Sequence, residues 1–415
     1  MEEWKEYKLG DIAQVKGGKR LPKGVNLIKA KNSHPYIRVR DLGQKKVLEL
    51  DSSFEYVDDE TQKSISRYIV NSGDIIVSIV GTIGLVAIIG NSLDKSNLTE
   101  NCVKLIDITA IDKEYLYYYL VSELGKNEIE KGIVGAVQAK LPIKNIQAIN
   151  IKAPNLESQR RIASILKSLD DKIEANSRIN ENLEQQAQAL FKSWFVDFEP
   201  FKDGEFEESE LGMIPKGWRV KEAQDVFEIN IGKTPPRKES EWFTESKEDN
   251  IWVSIADMGS CGVFISDSSE CLTNEAIKRF NIMMVEKDSV LLSFKLTVGR
   301  VAIADTSLTT NEAIARFILP DKCYREYLYL YLKQYKYENL GSTSSIATAV
   351  NSKTIKGMKL IVPPTDIIKS FSKNTKPLFE QIRVLQQESN RLATLRDILL
   401  PRLMSGELKV NEIEI

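Results

Sequence analysis

The sequence predicts an α+β protein: two pseudo-twofold-related globular α/β domains separated by two long antiparallel helices that form a coiled coil. Three observations carry this. The chain of 415 residues is written twice, with a period of about 210 residues. Each copy opens on glycine-broken runs of β-branched residues, the pattern of buried strands. Each copy closes on an apolar stripe about 40 residues long, with steps of three and four, the pattern of paired helices.

The repeat shows in several places. Trp4 is followed by Leu9-Gly10-Asp11-Ile12 and then Gly17-Gly18-Lys19; Trp218 is followed by Asp225-Val226-Phe227 and then Gly232-Lys233-Thr234-Pro235. Tyr36-Ile37-Arg38-Val39-Arg40-Asp41 matches Trp252-Val253-Ser254-Ile255-Ala256-Asp257. Gly73-Asp74-Ile75-Ile76-Val77-Ser78 through Ile88 matches Lys287-Asp288-Ser289-Val290-Leu291-Leu292-Ser293 through Ile303. Glu114-Tyr115-Leu116-Tyr117 matches Glu326-Tyr327-Leu328-Tyr329. The tryptophans lie 214 residues apart and the tyrosines 212. Such a period is too long for a solenoid unit and implies a duplicated half-molecule.

Within each copy, the runs Ile75 to Ile89 and Val290 to Ile303 read as buried strands joined by a turn. The tyrosine-rich runs near 115–121 and 327–333 have helical spacing and read as core packing rather than a base-stacking platform. The first long helix follows Pro154, with Asn155 as N-cap and Glu157 in its first turn. Its stripe is Ile162, Ile165, Leu169, Ile173, Asn176, Asn180, Leu183, Ala187, Leu190 and Trp194. The second follows Pro363-Pro364, with Thr365 as cap. Its stripe is Phe371, Thr375, Leu378, Ile382, Leu385, Ser389, Leu392, Leu395, Leu399 and Leu403. Pro377 predicts a kink or a late start. A stripe about 60 Å long cannot stay in water, so the two helices are expected to pack on each other, with Asn176 and Asn180 setting register. The other arrangement compatible with these stripes packs each helix on its own domain. The acidic segment 199–212 reads as a surface join.

Charged residues make up 28% of the chain, hydrophobic ones 42%, and the net charge is −2. Between Gln14 and Arg40 there are eight basic residues and no acidic one, a run that suits either a phosphate-binding loop or a solvated surface. No apolar stretch is long enough for a membrane span. The opening residues Met1-Glu2-Glu3-Trp4-Lys5 are no secretory signal, so a cytoplasmic location is expected. Cys102, Cys261, Cys271 and Cys323 are scattered and His34 is the single histidine, which removes the usual zinc patterns. There is no phosphate-cradling Gly-x-x-x-x-Gly-Lys-Ser/Thr, no Gly-x-Ser-x-Gly elbow, no Pro-Asp with a following Glu-x-Lys, and no Asn/Asp-Pro-Pro-aromatic motif. The expectation is a chain with no catalytic or metal-binding residues of its own.

The two helix endings, Phe191-Lys192-Ser193-Trp194-Phe195-Val196-Asp197-Phe198 and Leu395 to Glu407, together with the module opening Ile214-Pro215-Lys216-Gly217-Trp218, resemble the specificity subunit of Type I restriction–modification systems. The resemblance runs over nearly the whole chain. It implies target recognition domains at 1–153 and 213–362. It further implies a spacer helix at 154–198, a linker at 199–212, and a second spacer helix with the C-terminal tail at 363–415. It also implies a bipartite site on double-stranded DNA, two bound methyltransferase subunits that hold S-adenosylmethionine, and restriction subunits in the full complex. No cofactor is implied in this chain. Alternatives from the residues are a related Type II bipartite-site system, a cryptic nuclease or methyltransferase, and a coiled-coil scaffold.

On that reading, phosphate grip needs Lys or Arg, and base reading needs Arg, Lys, Asn or Gln on loops. The candidates in the first domain are Lys16, Lys19, Arg20, Lys23, Arg38, Arg40, Gln138 and Lys140. In the second they are Lys233, Thr234, Arg237, Lys295, Asn351 and Lys353. Trp194 and Phe195 are the candidates for partner contact, with core packing the other reading of each ring.

Overall fold

A computed structural model describes residues 4–43, 45–135, 137–337 and 350–410. They form two compact units, Met1–Glu174 with Asn390–Ile415 and Ala175–Ser389. Each long helix gives one segment to each unit.

The first unit is built on a five-stranded sheet in the spatial order Gln14–Gly17, Cys102–Ile106, Ile75–Ser78, Val86–Ile89, Val47–Leu48. All neighbours are antiparallel except the last pair. The second unit repeats this order with Glu228–Ile231, Ile314–Ile318, Val290–Ser293, Val301–Ala304 and Phe264–Ile265, and its last pair is again the parallel one. Alternation along a strand sends side chains to opposite faces. Ile75, Val77, Val103 and Leu105 therefore meet the helix Lys113–Val121 and the first long helix, while Ile76, Ala87 and Cys102 join a second core. That second core lies against a small sheet, Glu55–Tyr56, Pro35–Ile37 and Asn97–Leu98. Its counterpart in the second unit has four strands, with Trp252 pairing in parallel with Thr309.

A short antiparallel pair closes each module. Lys5–Lys8 pairs with Asn150–Ala153, and Arg219–Glu222 pairs with Lys359–Val362. The two ends of each module are thus brought together just before a long helix begins. Tyrosine hydroxyls fasten the closing strand. Tyr115 donates to Lys152 O at 2.8 Å and Tyr119 to Asn150 O at 3.0 Å, and Tyr327 donates to Ile361 O. These rings are buried, as expected of core residues.

The long helices run Leu156–Phe195 and Thr365–Ser405. Asn155 caps the first, accepting from Ser158 N at 3.0 Å. At the second, Pro364 O accepts the first helical bonds and Thr365 is already helical, so Thr365 is not the cap. The helix continues through Pro377, where a kink or late start is expected from sequence. Pro377 and Lys373, one helical turn apart, are both exposed residues, so the proline ring lies on the solvent side of the helix.

Within each unit the helix segments are antiparallel. In the first, Arg396 Nη1 meets Asp170 at 2.9 Å while Ile162 and Leu166 share a core with Leu403 and Met404. Tyr118 OH donates to the same Asp170 at 2.6 Å, tying module to helix. In the second, Asn176 is fully buried and donates to Glu388 at 2.7 Å and Ser389 at 3.3 Å, while Phe195 packs on Phe371 at 4.8 Å. The register role expected of Asn176 has this geometry; Asn180 Oδ1 is buried with no donor. The apolar stripe differs in detail from its sequence reading. Phe191 and Phe379 are buried core residues outside it, and Leu395, inside it, is 44% exposed. The 199–212 segment is more ordered than a plain join. Phe198 (φ +51) turns the chain into a short 3-10 helix, Glu199–Phe201, Phe198 and Phe201 pack on Trp218, and Phe206–Ser209 pairs with Gly212–Pro215.

The second module is clamped to its helix by charge. Arg325 contacts Asp288 at 2.6 Å, Glu326 at 2.6 Å and Glu380 at 2.8 Å; Arg383 contacts Asp305 at 3.0 Å, Glu380 at 3.1 Å and also Asp288. Burial alone would raise the Asp288 carboxyl, but hydrogen bonds from Arg383 and Arg325 hold it below the ordinary carboxylate range. Such a depressed group contributes stability above its unfolded-state pKa of about 4, and loses it as pH falls further. Arg325→Met in the full chain should cost on the order of 3 kcal/mol by denaturant melts, because buried carboxylates lose their partner. The melting temperature of the unaltered chain should fall below about pH 4, and fall less steeply in the variant.

Candidate nucleic-acid interface

One end of each five-stranded sheet gathers the loops that carry the candidate residues. In the first unit this end is where Gly17, Cys102 and Ser78 lie. Beyond Gly17 the chain turns: Gly18 N donates to Cys102 O at 3.0 Å and Lys19 N to Leu98 O at 2.8 Å. Beyond Ser78, Ile79 N donates to Asn101 O at 2.8 Å. Lys140 and Leu141 join them through the bridge Val80↔Lys140 and Leu141 N to Ile79 O at 2.9 Å. The second unit reproduces this. Gly232 N donates to Ile314 O, Lys233 N to Thr310 O and Phe294 N to Ala313 O. Glycine is required at the turn in both copies, because a Cβ on Gly18 or Gly232 would overlap Thr99 O or Asn311 O.

The residue after each Gly-Lys pair meets a glutamate on the facing loop. Arg20 Nε contacts Glu100 at 2.7 Å, and Thr234 Oγ1 donates to Glu312. The Arg20 guanidinium is raised by its hydrogen bond and proximity to Glu100. Burial pushes the Glu100 carboxyl up, but Arg20 and the neighbouring Thr99 hydroxyl bring it below its ordinary value. Glu100 and Glu312 hold equivalent places, and sequence reasoning missed both. The signal was the pair Thr99-Glu100-Asn101 and Asn311-Glu312-Ala313 in the repeat.

Lys19, Arg20, Gln138, Lys140, Lys233, Thr234 and Lys295 therefore come together at these two sheet ends, one group per unit. Lys19 is exposed, with its ammonium 5.5 Å from the Tyr68 ring. Gln138 and Lys140 are exposed. Lys233 is exposed and donates to Phe280 O and Asn281 O at 3.2 and 3.0 Å. Asn351 caps the helix Ser352–Lys356 by accepting from Thr354 N at 3.0 Å, and Lys353 lies exposed in that helix.

Other candidates are placed differently. Lys16 is exposed on the edge strand, directly opposite the buried Lys104. Lys104 is the counterpart of Arg316. Both are buried cations that reach backbone carbonyls, Lys104 at Ile69 and Arg316 at Met283 and Ile231. Lys23 is exposed beyond the Gly-Lys turn. Arg38 is turned inward onto Glu55 and Asp41, with its side chain only 19% exposed, and Arg40 leans on the same Glu55. Arg237 lies over the Phe243 and Trp252 rings at 4.3 and 4.5 Å and contacts Glu270, a stacking role rather than a free cation. Phe195 is 3% exposed and packs on Trp218, Tyr327 and Phe371, so its ring belongs to the core and offers no surface for a partner. Trp194 is half-buried beside Phe201 and Phe371.

What these sheet ends can do is hold polyanions and read edges: lysines for phosphate, and Arg, Gln, Asn, Thr and Glu on loops for base edges. No helix among the described residues is long and apolar enough to cross a membrane.

The profile of the Type I restriction modification DNA specificity domain matches this chain twice, over residues 1–185 and 215–394. The chain is 29% identical to the Type I restriction enzyme MjaIX specificity subunit of Methanocaldococcus jannaschii, over 99% of this chain and 95% of that protein. It is 28% identical to the HindI specificity subunit of Haemophilus influenzae, over 98% of this chain and 100% of that protein. The crystal structure of a Type I restriction–modification S subunit from M. genitalium has the same fold, with a TM-score of 0.56 at 16% identity, covering 97% of this chain and 96% of that one.

Replacing Lys19 and Lys140 together by alanine should weaken binding to duplex DNA alike for every sequence. The slope of log affinity against log salt should become shallower by about 2, as read in binding titrations at several salt concentrations.

Proposed function

The chain belongs to the Type I restriction–modification specificity-subunit family and carries two DNA specificity domains; from that premise we propose that it is a non-catalytic subunit that reads a DNA site in two separated words. Each module reads one word through the loops at its sheet end. The long helices serve as spacer and as docking surface for two methyltransferase subunits, which bind S-adenosylmethionine and carry out the chemistry in the cytoplasm. Restriction subunits join through them in the full complex.

The observation that carries this reading is the duplication itself. The same strand order, the same Gly-Lys turn and the same facing glutamate occur twice in one chain, each copy followed by a helix of 40 or 41 residues. One recognition surface suffices for one contiguous word; two copies on stiff helical segments suit two words at a fixed gap, because base pairs recur every 3.4 Å or so along the duplex. The pairing of module ends at Lys5–Lys8 and Asn150–Ala153 makes each module a separable insert.

Two experiments test this. Exchanging residues 1–153 for the same region of a related subunit, in cells carrying the partner subunits, should change one half of the methylated sequence and leave the other intact; methylation mapping that shows an unchanged word, or a change in both halves, contradicts the reading. Inserting four residues into each long helix adds about 6 Å of helix. The gap between the two words should then lengthen by about two base pairs, and a gap that stays fixed rules out the spacer role.

A further inference from the structure

The hairpin loops at the two sheet ends are built to one plan. Ser78 Oγ donates to Thr82 O at 2.6 Å and accepts from Leu85 N at 2.9 Å. Ser293 Oγ donates to Thr297 O at 2.6 Å and accepts from Arg300 N at 3.0 Å. Gly84 N and Gly299 N each close the loop on the carbonyl of that serine, both at 3.0 Å. The tip of the first loop is Gly81, at φ +81. The same place in the second loop is Leu296, at φ +60.

Glycine enters this left-handed region freely, whereas a leucine is strained there by its Cβ. Burial could offset that strain, but the Leu296 side chain is 100% exposed. The fold gains nothing from an apolar side chain at this position, and glycine in the first copy shows that the loop closes without one. Such strain on an exposed tip points to a contact outside the chain. Lys295 precedes it, also exposed, and the Gly232-Lys233 turn lies at the same end of the sheet.

The first unit supplies an independent observation. Its hairpin tip is glycine, yet an apolar side chain is delivered to the same end from another segment. Val137 is 98% exposed, three residues before Lys140, which bridges to Val80 of the hairpin loop. Two copies thus bring an exposed aliphatic group and an exposed lysine of one loop to the same sheet end, by different segments.

We propose that Leu296 is a specificity-determining residue of the second module, making an apolar contact with a base of the half-site while Lys295 holds a neighbouring phosphate. This rests on the reading of the chain as a DNA specificity subunit. An aliphatic group has no donor for phosphate; on a duplex it meets either the thymine methyl or the face of an opened base step, both of which depend on sequence.

The test uses the complete complex with its partner subunits and a DNA library randomised over both words, read by methylation. Leu296→Ala relaxes one base position of the second word, with discrimination there falling on the order of tenfold, and leaves the first word unchanged. Leu296→Gly relaxes the same position while raising the melting temperature, since it removes the strain and cannot be dismissed as misfolding. Lys295→Ala weakens all sequences alike. Either of two results overturns the inference: full discrimination retained in both leucine variants, or a loss spread evenly over every position. An unaltered complex that methylates no divided word sinks the parent reading and this inference with it. A normal divided word that ignores Leu296 sinks this inference alone.

Discussion

An amphipathic helix of 40 residues cannot leave its apolar stripe in water, and the rest of each unit is arranged around covering it. In the second unit the cover is aromatic: Phe191 and Phe195 lie against Tyr327 and Phe371, with Trp194, Phe201 and Trp218 around them. In the first unit Ile162, Ala163 and Leu166 sink into a core shared with Tyr115, Leu116, Tyr119, Leu403 and Met404. Covering the stripe also joins module to helix, because the same tyrosine-bearing helices contribute to both. Their hydroxyls then settle the polar side of the contact, Tyr118 on Asp170 and Tyr329 on Glu184 at 2.8 Å. A module held this way presents the opposite ends of its strands as a fixed platform.

A chain with net charge −2 that belongs to a DNA specificity family has to manage its cations individually. Carboxylates neutralise several of them. Glu55 takes Arg38 and Arg40, Glu100 takes Arg20, and Glu270 takes Arg237. Arg20, Arg40 and Arg237 are each more than half exposed, so their pairs are weak and open to exchange for a phosphate or a base edge, whereas Arg38 is held inward on Glu55. On the proposed reading, a guanidinium prearranged by a carboxylate would keep its direction before DNA arrives, and direction is what edge reading needs. The exposed lysines Lys19, Lys140 and Lys295 suit the less directional contact with phosphate.

Much of the architecture was legible without coordinates. The duplication, the two helices with their limits near Pro154 and Pro363, the cap at Asn155 and the buried tyrosine helices follow from periodicity and local chemistry, which act over a few residues. The details that escaped were those set by distant partners. Leu395 falls on the apolar period but lies exposed, one residue from Arg396, which pairs with Asp170. Pro377 suggested a kink or a late start, yet the helix starts at Thr365 and runs through it. Phe195 suited either a docking residue or a core residue from sequence, and only its enclosure by Trp218 and Phe371 decides for the core.

The sequence by itself determined that there are two like modules and which segments are helical, because hydrophobic periodicity and capping are properties of neighbouring residues. Only the tertiary structure decided which cations are free and which are spent on carboxylates up to 226 residues away, and that Glu100, Glu312 and Leu296 stand at the same sheet ends as the Gly-Lys turns. Charge pairing and exposure depend on what the fold brings alongside, and that information is spread over the whole chain rather than written at any one position.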